Sequence, residues 1–276
     1  MDIDLYLRIA DELYLKRLIV GGFEKVYEIG TDFRNEGIDR WHNPEFSMLE
    51  FYWAYANYND LMEMTEEMLS GIVKTIKGVY KVDYGDLEID FKPPWKRLTF
   101  RDAILERIDI DIDKYEAVPE LKRVITKKKL EVDTNVNDLP TLLDNLYKGV
   151  ARTKIIEPTF VIDHPYEMRP LAKRKETTPA KVESIQLLAG GAELLNAYSE
   201  LNDPVDQRLR WEEDLQRGEV GAQEYQVVDE DYIRALEYGM PPTAGWGMGI
   251  DRFTAILTNQ HSLKDVILFP TLRPEK

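Results

Sequence analysis

The sequence predicts a domain of the α+β class. Apolar residues alternate with polar ones over residues 27–33 and again over 46–53, and the loop between them is bounded by Gly, Asn and Pro, which is typical of an antiparallel hairpin. Residues 60–76 instead have apolar side chains at helical spacing. The length of 276 residues favours one sizeable core over two equal domains. Alternation alone does not fix the order of the strands.

Composition and charge exclude several classes of function. The chain contains 0 cysteines, which excludes disulfides and thiolate metal sites. No stretch has the apolar length of a signal peptide or a membrane span, so a cytoplasmic location is expected. The formal net charge of −15 disfavours non-specific binding to nucleic acid, although short basic runs at 127–129 and 173–175 are available locally.

The N-terminal part predicts a short strand followed by a helix. Apolar and polar residues alternate over residues 5–9. Asp11 is suited to cap a helix over residues 12–20, and Gly21 and Gly22 provide the left-handed exit with which helices often end.

The predicted hairpin carries charged and aromatic side chains on one face. A period of two puts Arg34 and Glu36 on one face of the first strand, and it groups four residues of the second strand, which are Phe46, Met48, Glu50 and Tyr52. A half-exposed hairpin with a solvated face is one interpretation. A binding face is the other, because an Arg fork, an aromatic ring and a carboxylate suit a nucleotide and a charged small molecule.

The middle of the chain is predicted to be structural. The apolar stripe of residues 60–76, which contains methionines, is expected to pack in the core and not to bind a cofactor. Residues 99–150 have a charged helical pattern interrupted by loops, which indicates a peripheral helical insertion. A strand is expected over 159–165, followed by a connection resembling a lid over 167–181.

Residues 182–204 predict a pair of strands with polar residues on one face. Alternation aligns Asn196, Tyr198 and Glu200, whereas Glu193 has the opposite parity and needs a bulge near the preceding glycines to join them. The alternative is an edge strand with a polar outer face.

Two charged helices, over 205–218 and 229–238, lead to a glycine-rich segment over 239–253. Its glycines at 245, 247 and 249 allow the backbone to approach a ligand closely, and Asp251 and Arg252 are expected to open the next helix.

Four segments together resemble the class II aminoacyl-tRNA synthetases, and specifically their lysyl branch. These are YLRIADELYLKRLIVGGFEKVYEI, the motif 2-like FRNEGIDRWHNPEF, VESIQLLAGGAELLNAYSELNDP and the motif 3-like GMPPTAGWGMGIDRF. The resemblance covers essentially all 276 residues. It implies a mostly antiparallel sheet flanked by helices, forming one catalytic domain over 1–276 with a helical insertion at about 99–150.

The resemblance implies ATP-dependent activation of L-lysine to lysyl-adenylate and its transfer to tRNA(Lys), with Mg2+ as the cofactor. Catalysis would rest on Arg34, which bridges the α-phosphate and the lysine carboxylate, and on Arg252, which holds the γ-phosphate with His42 at the same end. The other implied ATP contacts are Glu36, Phe46 and Gly249, and the implied lysine contacts are Glu12, Glu50, Tyr52, Asn196, Tyr198 and Glu200.

Two departures from the family accompany the resemblance. Glu193 matches a magnesium ligand, but Gln186 occupies the position where most relatives have a second one, and an amide brings no charge. The sequence also begins after motif 1, without the family's dimer helix and strand and without the N-terminal OB-fold. The homodimer that the family forms is therefore in question.

Two alternatives remain from the sequence. One is a lysine ligase acting on a protein such as elongation factor P. The other is a non-catalytic regulatory paralogue that binds lysine and ATP, which the missing motif 1 and Gln186 favour but the intact Arg34, Glu193 and Arg252 oppose.

Overall fold

The computed structural model describes residues 3–35, 37–219 and 226–272. The helices, in chain order, are α1 Glu12–Val20, α2 Tyr58–Lys77, α3 Phe100–Ile108, α4 Val118–Lys127, α5 Leu139–Val150, α6 Pro204–Glu219, α7 Glu230–Glu237 and α8 Ile250–Leu257. The strands are β1 Lys25–Phe33, β2 Glu45–Ala54, β3 Lys81–Tyr84, β4 Leu87–Asp90, β5 Lys96–Thr99, β6 Thr159–Ile162, β7 Arg174–Lys175, β8 Thr178–Val182, β9 Ser184–Ala189, β10 Ala192–Ser199 and β11 Thr243–Gly249. None of the helices in these ranges is both long and apolar enough to cross a membrane.

The main sheet confirms the predicted α+β class. It has seven strands in the order β1-β2-β11-β10-β9-β6-β5, and β3-β4 and β7-β8 form two small hairpins. Neighbours are antiparallel except β5 and β6, which are parallel. β10 lies in the interior of the sheet, so the edge-strand interpretation of residues 182–204 is wrong. The connection over 167–181 contains β7 and part of β8, where a loop was expected.

The hairpin of β1 and β2 is confirmed close to its predicted bounds. The two strands pair in register from Lys25 with Trp53 to Phe33 with Glu45. Glu28 is therefore opposite Glu50, and the side chains of this pair point to the same face of the sheet.

Helix α1 is confirmed, but Asp11 does not cap it. The backbone of Asp11 is already helical, at φ −88° and ψ −11°, and its side chain accepts no cap hydrogen bond. A capping side chain needs an extended N-cap backbone to reach the free N–H groups. Asp11 Oδ1 instead lies 2.7 Å from Arg8 Nη1 in an ion pair. The helix ends as expected, with Gly22 at φ +101°.

The strand predicted over residues 5–9 is wrong. These residues form no regular element, and Leu5 is 83% exposed. A strand requires a partner as well as alternation. Here the backbone contact to β1 is a single hydrogen bond from Phe33 N–H to Arg8 O, at 2.9 Å.

Helix α2 packs on the back of the sheet, as its apolar stripe predicts. Asn57 and Asp60 form a capping box at its start. Trp246 of β11 is buried against the helix and donates from Nε1 to Thr65 Oγ1, at 2.8 Å. This packing leaves the opposite face of β2, β11 and β10 available for a ligand.

Helices α3, α4 and α5 lie within the segment predicted to be helical. Their apolar residues form a second core cluster that reaches the sheet through Val161 of β6 and Leu188 of β9. Asp138 caps α5 by accepting from Thr141 N–H. The segment thus forms a wall beside the sheet, and α5 lines the cavity described next.

Candidate active site

The candidate site lies on one face of the central strands. Glu50 of β2 is opposite Gly247 of β11, which is opposite Asn196 of β10, which is opposite Gln186 of β9. Residues directly opposite each other point to the same face, so these four cross the sheet in a row. The antiparallel register therefore collects residues that are distant in sequence onto one floor.

The glycines of β11 make space above this floor. A Cβ atom at Gly245 would lie 2.0 Å from Glu200 Oε1 and 2.4 Å from Tyr52 Cε1. At Gly247 it would lie 3.0 Å from Met48 Cε. Gly245 therefore needs glycine for the close approach of Glu200 and Tyr52, whereas at Gly247 only the flexible end of Met48 is close. Above them is a cavity of about 860 Å³.

The cavity collects the predicted site residues. Those that line it are Glu12, Arg34, His42, Phe46, Glu50, Tyr52, Gln186, Glu193, Asn196, Tyr198, Glu200, Gly249 and Arg252. Glu36, the remaining predicted residue, lies outside the residues that the structure describes.

One end of the cavity is acidic. Glu50 and Glu200 are buried, and Glu12 of α1 lines the same end. Tyr52 OH donates to Glu50 Oε2 at 3.4 Å. Burial, reinforced by the negative charges of Glu12, Asp32 and Asp11, raises the pKa of Glu50 to about 8.

A lysine of the protein itself is part of this acidic end. Lys16 is fully buried, its Nζ lies 2.6 Å from Glu12 Oε1, and it also contacts Glu200 Oε2. Burial alone would lower the pKa of Lys16, but Glu12 and Glu200 outweigh burial and raise it well above its ordinary value. Burial also raises the pKa of Glu200 to about 8, against the opposing effect of Lys16. Two carboxyl groups, those of Glu12 and Glu200, thus share one internal ammonium.

Tyr198 forms part of the floor beside these acids. It lies opposite Ser184 of β9 and Gly245 of β11, and burial raises the pKa of its phenol to about 12. Tyr198 is therefore a neutral hydroxyl group at the pH of the cell.

Arg34 and His42 lie on the hairpin loop at the mouth of the cavity. The Arg34 guanidinium stands over the Phe46 ring, 5.2 Å from its centroid, and Arg34 Nε donates to Ile9 O at 3.0 Å. His42 Nδ1 lies 2.8 Å from Asp39 Oδ2. Partial burial would raise the pKa of Asp39, but hydrogen bonds from Trp41 and His42 lower it, so this carboxylate is an anionic partner that orients the imidazole.

The other end of the cavity surrounds Glu193. The register of β10 against β9 shifts between Glu193 and Leu195, which confirms the expected bulge, located after the predicted Gly190-Gly191 turn. Asn196 Nδ2 donates to Glu193 Oε1 at 2.9 Å, and Gln186 Nε2 also donates to the Glu193 carboxylate. Arg252 Nη1 lies 3.6 Å from Glu193 Oε1.

Several residues of the site were missed from the sequence. Lys16 is one turn after Glu12, and this spacing could have revealed the pair. Tyr147 OH donates to Gln186 Oε1 at 2.7 Å, and Arg152 and Arg169 line the Glu193 end. These three lie far from the recognised segments and carry no local signal. Within the described chain, no three His, Cys, Asp or Glu side chains form a metal site by themselves.

Comparison with known proteins gives one family and a consistent set of relatives. The family model of the tRNA synthetases class II (D, K and N) matches residues 2–273. The chain is 49% identical to the lysine–tRNA ligase of Clostridium kluyveri over 278 aligned residues, which cover 100% of the chain and 55% of the relative. The corresponding enzyme of Dehalococcoides mccartyi is 49% identical over 274 residues, covering 99% of the chain and 55% of the relative. The chain thus spans about half the length of the curated relatives it matches.

Proposed function

Because the chain belongs to the tRNA synthetases class II (D, K and N), we propose that it activates L-lysine with ATP and transfers the activated lysine to tRNA(Lys). The observation that carries the proposal is a single cavity with two ends of opposite charge. Glu12, Glu50 and Glu200 line one end, and Arg152 and Arg252 line the other. An amino acid with two ammonium groups and a polyphosphate fit these two ends, and the names of the relatives agree with lysine.

The acidic end suits the two ammonium groups of lysine. The ε-ammonium has three donors, and Glu50, Glu200 and the hydroxyl of Tyr52 provide acceptors for them. Glu12 is the acceptor for the α-ammonium. A neutral isostere such as methionine would leave buried carboxyl groups without a partner, which costs several kcal/mol.

The chemistry of activation requires alignment more than proton transfer. The lysine carboxylate is already ionised, so its oxygen forms a bond to the α-phosphorus of ATP while the bond to the β-phosphate oxygen breaks and pyrophosphate leaves. Arg34 would neutralise the carboxylate and the α-phosphate, and Phe46 would stack on adenine. Arg252, His42 and the backbone at Gly249 would hold the β,γ end, and Glu36 would contact the adenine amino group.

The donor groups near Glu193 fit a magnesium ion that ATP carries. Magnesium is commonly bound by one or two carboxylates together with phosphates and water. Glu193 supplies a carboxylate, and the side-chain amides of Gln186 and Asn196 lie beside it, each donating an N–H to that carboxylate. Magnesium, when bound, would neutralise charge on the phosphates. Asn196 would in addition orient the lysine carboxylate, with Tyr198 beside the aliphatic part.

Transfer completes the proposed cycle. A terminal ribose hydroxyl of tRNA(Lys) attacks the lysyl carbonyl, an ester forms, and AMP leaves. The names of the relatives favour tRNA over elongation factor P as the acceptor. They also favour turnover over a non-catalytic regulatory function.

The test is lysine-dependent exchange of pyrophosphate into ATP in the presence of magnesium, followed by charging of tRNA(Lys). Glu200→Gln and Arg34→Ala should each lower the exchange rate by about 100-fold or more, because each removes a charged contact to substrate. Exchange that proceeds without lysine, or that survives both substitutions, would contradict the proposal. Exchange without charging would limit the function to adenylate formation.

A further inference from the structure

The Glu193 end of the cavity has more positive than negative charge. Arg152, Arg169 and Arg252 line it together with Glu193. Arg252 Nη1 lies 3.6 Å from Glu193 Oε1, and Arg169 Nη2 donates to Asn196, which itself donates to Glu193. Arg152 begins a short 3-10 helix, Arg152–Lys154, that packs beside β10. Three cations and one anion leave an excess of two positive charges.

Two of these guanidinium groups have no anionic partner of their own. Arg169 Nη2 donates to the neutral Asn196 Oδ1 at 3.3 Å, and its buried Nε has no hydrogen-bond partner. Across the described ranges, no ion pair joins Arg152 or Arg169 to a carboxylate at contact distance. Leaving a partly buried charged group without a partner is costly, so these two guanidinium groups are available to an anionic ligand.

Other cations of the same cavity are already paired. Lys148 of α5 contacts Asp144, one turn away. Arg217 of α6 contacts both Asp138 and Asp214. The lack of partners is therefore specific to Arg152 and Arg169 and does not apply to every basic group around the cavity.

The acidic groups available for a metal are correspondingly few. Gln186 has an amide where the family resemblance implies a second carboxylate, and this amide is fixed between Tyr147 and Glu193. Phosphate oxygens can be neutralised by a divalent cation or by guanidinium groups, which bind them bidentately. At this site an amide stands where the resemblance implies a metal-binding carboxylate, and guanidinium groups are available to bind phosphate.

We propose that Arg152 and Arg169 bind phosphate oxygens of the nucleotide and supply part of the charge neutralisation for which a magnesium ion would otherwise be needed. This inference rests on the proposed function, since it takes ATP as the ligand. It makes the two arginines additional nucleotide-binding residues, on the wall opposite the hairpin that carries Arg34.

The test is the affinity for ATP, measured by calorimetry in excess EDTA and again with saturating magnesium. Arg152→Gln with Arg169→Gln should weaken ATP binding in EDTA by about 100-fold or more, because each substitution removes a charge-assisted hydrogen bond to phosphate. With magnesium the loss should be about tenfold or less. Lys148→Gln, in the same cavity but already paired, should leave both affinities unchanged.

A further variant tests whether the guanidinium groups take over charge neutralisation that magnesium would otherwise supply. Gln186→Glu adds a carboxylate beside Glu193, so it should weaken ATP binding in EDTA and increase the gain in affinity on adding magnesium. Thermal unfolding of each variant shows whether it is folded, and each single Arg→Gln variant replaces the double one if that is unstable.

ATP affinity in EDTA that is the same with and without the two arginines would overturn the inference, whatever the exchange assay gives. Loss of ATP affinity in the double variant, together with no lysine-dependent exchange by the unsubstituted protein, would support the inference and contradict the proposed function. The two failures are thus distinguishable.

Discussion

Two buried carboxyl groups of the candidate lysine pocket have pKa values within the physiological range. Burial and neighbouring negative charges raise the pKa of Glu50 to about 8 from its ordinary 4.5, and burial raises that of Glu200 to about 8. The folded protein therefore binds protons here that the unfolded chain releases. This contribution to stability is fully present below about pH 4.5 and is lost as the pH rises through about 8.

Lysine binding should release protons at pH 7. The ligand ammonium favours the ionised carboxylates, so it lowers their pKa, and the affinity for lysine should rise as the pH increases toward about 8. Calorimetry in buffers of different ionisation enthalpy measures the number of protons released. Glu50→Gln should release fewer protons than the unsubstituted protein. An identical binding heat in all buffers would contradict the raised pKa values.

Loss of the Lys16 ammonium should make the stability of the protein depend more strongly on bound L-lysine. Lys16→Met leaves Glu12 and Glu200 without their internal cation, and breaking such a buried pair costs about 3–5 kcal/mol. Ligand lysine brings cations to the same acids, so it should raise the midpoint of thermal unfolding more in Lys16→Met than in the unsubstituted protein.

The neighbouring residue provides the matched control for this prediction. Arg17 is on the same helix, but it is partly exposed and pairs with Asp229 outside the pocket. Arg17→Met should change stability little, because exposed ion pairs contribute about 0–1 kcal/mol. Equal stabilisation by lysine in Lys16→Met, Arg17→Met and the unsubstituted protein would mean that Lys16 has no part in the pocket.

At the scale of elements, β11 gives the pocket its depth. Its glycines alternate with Ala244, Trp246 and Met248, so one face of the strand packs in the core and the other has no side chains from Gly245 to Gly249. The bulky face anchors the strand to α2, and the bare face allows Glu200 and Tyr52 to meet across it.

Gly245→Ala should abolish lysine activation while the protein remains folded. The new Cβ would lie 2.0 Å from Glu200 Oε1 and 2.4 Å from Tyr52, so both side chains must leave their positions, and lysine-dependent exchange should fall by about 100-fold or more. Gly71→Ala is the matched control, since it lies in α2 outside the cavity and its Cβ would have no neighbouring atom within 4 Å. Similar exchange rates in the two variants would contradict this account of β11.

Local sequence patterns predicted some of the strands that form the site, but not how those strands are arranged in the sheet. The hairpin and the common face of Phe46, Met48, Glu50 and Tyr52 were predictable, because alternation and a turn are local. The order of the strands was not, because pairing of β2 with β11 joins residues about 190 positions apart. The expected strand over residues 5–9 failed for the same reason, since its pattern lacks a partner.

Residues that reach the site from distant elements could not be predicted from the sequence either. Arg152 follows α5 and Arg169 precedes β7, and only the tertiary fold brings both to Glu193. The glycines at 245 and 247 were predicted to let the backbone approach a ligand closely, but the side chains that come near them are Glu200, Tyr52 and Met48 of the protein itself.

At the scale of the whole molecule, charge is distributed unevenly. The net charge is −15, yet the Glu193 end of the cavity has an excess of guanidinium groups. Acidic surface elsewhere repels polyanions, so it favours their binding at this one end. The same surface makes non-specific contacts to nucleic acid weak.

The outer edge of the sheet is the other feature that belongs to the whole molecule. Strand β1 is an edge of the seven-stranded sheet, and on its face away from the site Tyr27 is 73% exposed and Ile29 is 63% exposed. An edge strand with exposed apolar side chains is a place where a second chain can pair. We therefore expect the protein to self-associate through β1.

Sedimentation velocity over a range of protein concentrations measures this association. Tyr27→Lys with Ile29→Lys should shift the protein toward the monomer, because a charge on an exposed edge disfavours pairing. Tyr238→Lys, at a tyrosine of similar exposure just after α7, should leave the association unchanged. Association that is equal in both variants would place the contact on another surface. Since Tyr27 and Ile29 point away from the cavity, lysine binding should be the same in the monomer, which separates assembly from the pocket.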